Sequence, residues 1–464
     1  MKTVDLVAEL RQLIGDPRRV TAGRTARQQH GRDLTYHPPR LPDVVVYPLD
    51  KHEVSRILRF AHEHGIPVVP FGAGSSLEGH VIPVRGGISL DLTRMDEILE
   101  VRVEDMVARV QPGVTRTRLN QRLRREGLFF PVDPGADATI GGMAATNASG
   151  TNAVRYGAMK HQVLGLEVVL ADGTIVRTGG SARRSAAGYD LTALFVGSEG
   201  TLGVFTEITL RLYPLPEHVA AGRAVFPGLE EAARAAVELI RSGVAVARLE
   251  LVDERTLRAV NAYKGTAFPE RPTLFIELAG TEAAVAGDLE RARAVAGAAG
   301  CLELAFEQDE QARERLWEAR HHAGLAVTAV APGRKKMSTD VCVPLSVLPE
   351  AIRHARATID AAGFEAGIVA HAGDGNFHVL FTVDPEDPQE VERARRASEA
   401  IVRYALARGG TCTGEHGVGL GKRDFLVAEH GAAVEWMRAV KRVLDPRGIL
   451  NPGKVLPELS EEKA

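Results

Sequence analysis

Cysteine is scarce in this chain of 464 residues, and its scarcity excludes several kinds of site. The three cysteines, Cys301, Cys342 and Cys412, lie far apart, and no two of them form a C-x-x-C pair. A zinc knuckle, a c-type haem attachment and an Fe–S cluster all need more closely spaced cysteines, so none is expected. A disulfide framework is also not expected, which indicates a reducing compartment.

Long apolar runs and an excess of one charge are also missing. Because no apolar run reaches about 18 residues, the sequence predicts no transmembrane helix. The N-terminus has early acidic residues, which favours an amphipathic helix over a signal peptide. The 57 basic and 60 acidic residues nearly balance, which argues against nucleic acid as a partner. We expect a cytoplasmic protein, and peripheral association with the inner membrane stays open.

The glycine-rich stretches do not match the common nucleotide-binding motifs. Residues 72–79 follow a predicted strand but lack the G-x-G-x-x-G spacing, and residues 417–422 lack the spacing and hydroxyl of a P-loop. Three stretches of one domain (72–79, 134–150 and 197–203) are nevertheless dense in small residues, so backbone N–H groups there can approach a pyrophosphate closely. This pattern favours a large flat cofactor lying against backbone loops.

The length predicts two or three domains, because it exceeds what one hydrophobic core organises. Strands and helices alternate up to Pro216, after which Ala-rich helices follow strands of a mostly antiparallel sheet. We predict a helical N-terminal arm over 1–40, a cofactor domain over 41–215, a substrate or cap domain over 216–415 and a C-terminal segment over 416–464.

Two apolar runs flank residues 371–378, and Asp374-Gly375 between them predicts a hairpin with a two-residue type I′ turn. That register pairs His371 with His378, so the two imidazoles converge as a divalent metal requires. Residues 413–421 add a carboxylate, Glu415, beside His416. The alternative is a surface hairpin carrying two solvated histidines.

Seven motifs in order carry a resemblance to a known family: residues 70–80, 141–150, 197–203, 338–344, 371–378, 414–417 and 451–454. The chain resembles the FAD-linked oxidases and dehydrogenases of the vanillyl-alcohol-oxidase (PCMH-type) fold. Within that family it is similar to the D-lactate dehydrogenase (cytochrome) branch, the glycolate oxidase flavoprotein subunit and D-2-hydroxyglutarate dehydrogenase.

The resemblance implies an α+β fold: a PCMH-type FAD-binding domain of two α/β subdomains, a cap domain with a large antiparallel sheet, and a helical C-terminal segment returning to the flavin. It implies noncovalent FAD, with His80 as a structural residue. The implied cofactor-binding residues are Pro70, Gly72, Ala73, Gly74, Ser75, Ser76, Gly79, His80, Pro134, Gly135, Gly141, Gly142, Ala145, Thr146, Asn147, Ser149, Gly150, Tyr156, Gly157, Glu199, Gly200, Gly203, Val204 and Asn451.

The family implies oxidation of a D-2-hydroxy acid, with hydride passing to flavin N5. It also implies a divalent metal, Zn or Mn, held by His371, His378 and Glu415. The implied catalytic residues are His416 as the base, Arg320 as the cation for the substrate carboxylate, and Asn376. Alternatives are a loop histidine for His416, an exposed helix arginine for Arg320 and a turn residue for Asn376. Arg334, Lys335 and Lys336 are expected in a solvated loop.

Relatives that act on hydroxyglutarate carry a lysine where this chain has Ser338, so we expect a monocarboxylic substrate such as D-lactate. Reduced flavin needs an external acceptor: a cytochrome, a quinone, an electron-transfer flavoprotein or oxygen. D-2-hydroxyglutarate dehydrogenase and glycolate oxidase subunit are the alternative functions. An alkylglycerone-phosphate synthase-like flavoenzyme and a metal-binding scaffold are more distant. A homodimer is also left open.

Overall fold

A computed structural model of the chain describes residues 5–307 and 309–458. The chain divides into two compact units. The first is built from the residues up to Ser149, from Gly157–Leu215 and from Glu415 onwards. The second is built from Gly150–Tyr156 and Pro216–Gly414. The short excursion at Gly150–Tyr156 has no counterpart in the boundaries expected from the sequence.

The described strands, in chain order, are β1 (Val20–Thr21), β2 (Val44–Val46), β3 (Val68–Phe71), β4 (Ile88–Asp91), β5 (Ile98–Arg102), β6 (Val107–Val110), β7 (Leu128–Phe129), β8 (Val163–Val169), β9 (Ile175–Gly179), β10 (Val204–Arg211), β11 (Tyr213–Pro214), β12 (His218–Val225), β13 (Val246–Val252), β14 (Thr273–Gly280), β15 (Glu303–Glu307), β16 (Lys335–Ser338), β17 (Val341–Cys342), β18 (Gly367–His371) and β19 (Asn376–Val383).

The described α-helices are α1 (Leu6–Ile14), α2 (Arg24–Gln29), α3 (Lys51–His64), α4 (Arg116–Leu123), α5 (Ile140–Thr146), α6 (Ala153–Tyr156), α7 (Met159–Gln162), α8 (Leu191–Phe195), α9 (Leu229–Arg241), α10 (Glu254–Lys264), α11 (Glu282–Ala298), α12 (Glu310–His321), α13 (Ala323–Ala329), α14 (Leu348–Ala361), α15 (Pro388–Ala407), α16 (Leu426–His430) and α17 (Ala433–Leu444). Short 3₁₀ turns lie at Pro17–Arg19, Arg124–Glu126, Leu345–Val347 and Arg423–Phe425.

The first unit contains two larger sheets, each with its own core. One has the order β1-β2-β4-β3, with β2, β4 and β3 parallel, and the other is antiparallel in the order β5-β6-β10-β8-β9. Helix α3 begins at an N-cap carboxylate, Asp50, and ends at Gly65 in the left-handed conformation. These end signals are local, because both come from residues directly next to the helix in the chain.

The second unit is organised by an antiparallel sheet in the order β15-β12-β14-β13-β18-β19-β16, with β17 also paired to β19. Helices α10, α12 and α13 pack on one face of it, around Phe275, Trp317 and Val369. Among the described residues, no helix combines the length and the hydropathy that crossing a bilayer requires.

The predicted two-residue turn of the hairpin is wrong. His371 pairs with Asn376 and Val369 pairs with His378, so the connection holds four residues, 372–375. Only Gly375 of these has a positive φ, at 88°, whereas a type I′ turn needs two such residues. The register differs from the expected one by two residues. Because side chains alternate with a period of two, His371 and His378 still share a face.

Two further expectations are corrected. The small-residue segment 134–150 is not a continuous loop, because residues 140–146 form helix α5, whose N-cap Thr139 accepts a hydrogen bond from Gly142 N–H. Residues 335–338 form an edge strand rather than a solvated loop, and Arg334 beside them pairs with Glu390.

Gly375→Ala should destabilise the protein by about 2–4 kcal/mol, because a Cβ at this position would lie 2.1 Å from the Val343 carbonyl oxygen as well as requiring a positive φ. The matched control is Gly363→Ala, whose φ is also positive but which has open space around it. The control should cost about 1 kcal/mol. Urea unfolding followed by circular dichroism measures both, and equal losses would contradict the close approach.

Candidate active site

The polar residues of the second unit gather on one face of its sheet. Glu250 pairs with His371, which pairs with Asn376, and His378 lies two residues further along the same strand. Directly paired residues and residues two apart share a face of a sheet. The rings of His371 and His378 are therefore neighbours, with centroids 5.5 Å apart and planes at 89°.

Glu250 connects two of the predicted site residues. One carboxylate oxygen lies 2.8 Å from His371 Nδ1, and the other accepts a hydrogen bond of 2.5 Å from the Arg320 guanidinium. Burial alone would raise the pKa of Glu250, but His371 and Arg320 together lower it. The carboxylate is therefore ionised, and Nδ1 of His371 carries the proton that it donates to Glu250.

His378 has its own oxygen neighbours. Its Nδ1 lies 3.1 Å from the Thr339 carbonyl oxygen and 3.6 Å from Asp340. In both imidazoles an acceptor therefore faces Nδ1, which holds the proton there and directs the Nε2 lone pair away from that acceptor. This second layer of oxygen partners is typical of metal-binding histidines.

Asn376 is the first residue of β19 and lies outside the turn, so the alternative of a turn residue is wrong. Its side-chain N–H groups donate to Asp340 at 2.8 Å and to the Val341 carbonyl at 3.1 Å, and its side chain is buried. Asp340 also accepts a hydrogen bond from the Thr413 hydroxyl at 2.7 Å. Through these two hydrogen bonds Asp340 links the hairpin, at Asn376, to the loop that carries Thr413. Contact between Asn376 and substrate stays a prediction.

Arg320 is buried, so the alternative of an exposed helix arginine is wrong. Its Nε–H has no acceptor within the described residues, which leaves a donor in addition to those facing Glu250.

Ser338 and Lys336 also lie on the face of the two imidazoles, because Ser338 pairs with Leu380, two residues from His378. Burial lowers the pKa of Lys336.

In the first unit, Glu199 joins the small-residue stretches. Its backbone N–H donates to the Ala145 carbonyl of α5 at 2.8 Å. Its carboxylate accepts from the N–H groups of Val418 and Gly419 at 2.7 and 2.8 Å, and lies 3.0 Å from His80 Nε2. Burial opposes ionisation, yet His80 and the two N–H groups lower the pKa of Glu199. Its φ of 55° marks local backbone strain.

The C-terminal motif 451–454 is tied to the same loops. The Asn451 amide donates to the carbonyls of His80 and Glu199, at 3.1 and 2.8 Å. Lys454 donates to the Ile82 carbonyl at 2.6 Å and to the Asn451 side chain at 3.0 Å. Burial lowers the pKa of Lys454 to about 7 despite the nearby Glu199 carboxylate.

These loops fit a bound flavin nucleotide. The buried hydroxyls of Ser76 and Ser198, one from each of two glycine-rich loops, have no hydrogen-bond partner among the residues the structure describes. Buried hydroxyls normally have partners, so a ligand with phosphate or ribose oxygens fits here. A Cβ on Gly72 would meet the Thr139 hydroxyl at 2.4 Å, so only glycine allows this loop to lie against the N-cap of α5.

Glu415 and His416 belong to the first unit. The Ser149 hydroxyl donates to Glu415 at 2.8 Å, and His416 Nε2 lies 3.8 Å from the Glu415 carboxylate. His371 and His378 belong to the second unit, so the joint metal set with Glu415 and the base role of His416 stay predictions. Most of the predicted cofactor-binding residues lie in the first unit, whereas Gly150 and Tyr156 lie in the second.

Sequence reasoning missed Glu250 and Asp340. Glu250 lies inside an apolar strand, and a carboxylate at such a position is almost always paired. That signal could have marked Glu250 as a site residue. Its partners lie 70 and 121 residues away in the chain, so no local pattern identifies them.

The comparisons with known proteins agree with this architecture. A family model described as "FAD binding domain" matches residues 42–179, and one described as "FAD linked oxidases, C-terminal domain" matches residues 215–455. The chain belongs to the FAD-linked oxidases and is an FAD-dependent oxidoreductase. The prediction of the family and of FAD is confirmed.

Particular relatives are similar over nearly the whole chain. It is 47% identical to a "Probable D-lactate dehydrogenase, mitochondrial" of Danio rerio, covering 97% of this chain and 91% of that protein. It is 43% identical to a mitochondrial D-lactate dehydrogenase (cytochrome) of Arabidopsis thaliana, covering 98% and 80%. It is 36% identical to glycolate oxidase subunit GlcD of Bacillus subtilis, covering 98% and 97%.

Solved structures confirm the predicted fold class. A 4-ethylphenol oxidase from Gulosibacter chungangensis superposes with a TM-score of 0.80 at 19% identity, covering 98% of this chain and 97% of that one. p-Cresol methylhydroxylase superposes with a TM-score of 0.78 at 19% identity, covering 97% of this chain and 96% of that one.

The location of the protein is not settled by its relatives. Since two of them are named as mitochondrial proteins, the cytoplasmic location expected from the sequence stays a prediction.

Glu250→Gln should destabilise the protein by about 3 kcal/mol, because it leaves the buried Arg320 charge without a counter-ion. The control is Glu318→Gln on α12, the helix that also carries Arg320, because it removes only an exposed ion pair with Lys264 and should leave stability nearly unchanged. Urea unfolding of both FAD-loaded variants makes the comparison. Similar losses would show that the Glu250–Arg320 pair is worth no more than a surface pair.

Proposed function

We propose that the chain oxidises a monocarboxylic D-2-hydroxy acid, D-lactate or an apolar homologue, to the 2-oxo acid. The observation that carries this proposal is the buried face where two imidazoles and a guanidinium lie together around Glu250. Such a group suits a substrate with a hydroxyl next to a carboxylate. The names of the D. rerio and A. thaliana relatives support the same substrate.

The substrate carboxylate binds Arg320. Glu250 holds this guanidinium in place, so a carboxylate reaching Arg320 meets donors that are already oriented. Glu250 also keeps Arg320 from being an unpaired buried charge before substrate arrives. FAD, when bound, supplies the acceptor for the hydrogen that leaves the α-carbon as hydride.

His371 and His378 hold a divalent metal, Zn or Mn, with Glu415 as a third ligand. Bound metal of this kind supplies a Lewis acid that lowers the pKa of a substrate hydroxyl. Glu250 and the Thr339 carbonyl keep the Nδ1 protons of the two imidazoles in place, so each ring offers Nε2. His416 accepts the hydroxyl proton, a role for which a neutral imidazole is suited near pH 7.

FAD is held without a covalent bond. The support is the position of His80, which is buried and whose Nε2 lies 3.0 Å from the Glu199 carboxylate. The electrons then pass to an external acceptor. A cytochrome is the acceptor that the name of the A. thaliana relative suggests. The acceptor and a homodimer are not otherwise indicated by the similar proteins.

Anaerobic mixing with D-lactate should bleach the flavin absorption bands, and L-lactate should not. Acid precipitation of a parallel sample should release the flavin into the supernatant. Flavin that does not bleach with any hydroxy acid would favour a synthase-like flavoenzyme, and colourless protein would favour a metal scaffold. Either result sinks the proposed reaction.

The value of kcat/KM for D-lactate or D-2-hydroxybutyrate should exceed that for D-2-hydroxyglutarate by about 10²-fold or more. Ser338 cannot neutralise a second carboxylate, and burying one unpaired costs several kcal/mol, on the order of 3 or more. Ser338→Lys should narrow the ratio. Lys336→Met is the control for the nearby lysine. A dicarboxylate preference that Lys336→Met abolishes would show that Lys336, not Ser338, sets the range.

His371→Ala or His378→Ala should remove the metal and lower kcat/KM by about 10²-fold or more while FAD stays bound. Elemental analysis and the flavin spectrum report metal and cofactor separately. The control is His354→Ala, which changes a histidine that stacks on Tyr404 outside this polar face. Full turnover of either site variant in chelator contradicts the metal assignment.

A further inference from the structure

Helix α17 is held against the first unit by polar as well as apolar contacts. Its inner side carries charged residues that bind buried carbonyls: Lys441 donates to the carbonyls of Thr201 and Leu450 at 2.7 and 2.9 Å, and Arg438 donates to the Pro457 carbonyl. Surface helices normally present apolar residues to the core and charged residues to solvent. Val434, Val440 and Leu444 of α17 do face inward, but the helix carries further apolar residues on its outer side as well.

The outer side of α17 carries an apolar stripe, defined as Ala432, Trp436, Ala439 and Val443. Their spacing of four, three and four residues places them on one side of a helix. Trp436 is 76% exposed and Val443 is 79% exposed, which is unusual for side chains of this size and polarity. Val427, on the adjoining helix α16, is 56% exposed and adds to the apolar surface.

The stripe is complementary to a second copy of itself. When two such helices run antiparallel about a two-fold axis between residues 437 and 438, residue 436 of one faces residue 439 of the other, and 432 faces 443. Trp436 then covers Ala439, and Val443 covers Ala432, so each large side chain meets a small one. A two-fold interface requires this kind of self-complementary surface.

The charges beside the stripe obey the same symmetry. Glu435 and Arg442 flank it on one side, and both are exposed, although Glu435 also lies 3.5 Å from Arg438 of its own helix. In an antiparallel pair the same flanks face each other, so Glu435 of one copy lies near Arg442 of the other, and the pairing occurs twice. One acid and one base give this flank no net charge, which provides no attraction for an anionic membrane surface.

We propose that the chain forms a two-fold homodimer through antiparallel contact of α17 with α17 of a second copy, centred on Trp436. Exposed aromatic residues in the middle of a patch are the side chains that most often dominate the affinity of an interface. A single helix of 12 residues presents a small area, so the dimer is expected to dissociate in the micromolar range.

Sedimentation velocity of the FAD-loaded full chain, from about 0.1 to 100 µM, tests the proposal. The wild-type chain should shift from monomer to dimer across this range. Trp436→Glu should raise the dissociation constant about 100-fold, and Val443→Glu should also weaken the dimer. The control is Leu302→Glu, which also replaces an exposed apolar residue by glutamate but lies in the other unit, and it should leave the dimer unchanged.

The charge pair tests the register. Glu435→Arg and Arg442→Glu should each weaken the dimer about tenfold, and the double variant should return to within about threefold of wild type. Failure of the double variant to recover overturns the two-fold pairing. A monomeric wild-type chain at the highest concentration overturns the dimer itself. If that monomer sediments with phosphatidylglycerol vesicles and Trp436→Glu does not, the stripe is a membrane surface instead.

Discussion

The second unit depends on keeping one buried carboxylate ionised. Glu250 lies in the interior of a sheet, where an isolated charge is strongly disfavoured. His371 on the neighbouring strand and Arg320 on helix α12 supply the compensation. The same contacts orient an imidazole and a guanidinium toward one face. Stability and the arrangement of the site therefore have one origin, and the positions of β13, β18 and α12 are all constrained by it.

The first unit also contains a buried ionised carboxylate, that of Glu199. Its charge is compensated by His80 and by the backbone N–H groups of Val418 and Gly419 in the C-terminal segment. Because these partners come from separate stretches of chain, the carboxylate fixes the loops relative to one another. The Asn451 side chain then links the loops through their carbonyls. A cofactor bound by backbone groups needs such fixed loops, since glycine-rich chain is otherwise conformationally free.

Helix α17 combines polar and apolar contacts on its inner side with an exposed apolar stripe on its outer side. Lys441 and Arg438 use the inner side to satisfy carbonyls at Thr201, Leu450 and Pro457, which are not part of regular pairing. Val434, Val440 and Leu444 pack inward beside them, whereas Trp436 and Val443 are exposed. The exposed tryptophan beside alanines makes this surface suited to contact with another protein.

The sequence by itself determined the family, the fold class and the FAD cofactor, because the glycine motifs and helix ends such as Asp50 and Gly65 act locally. It also brought His371 and His378 onto one face despite the wrong turn, since an error of two residues preserves strand alternation. Only the tertiary structure decided that Arg320 is buried against Glu250, that Asn376 binds Asp340 and that α17 is apolar outside. Those outcomes depend on contacts between residues far apart in the chain, and such contacts leave no spacing pattern to detect.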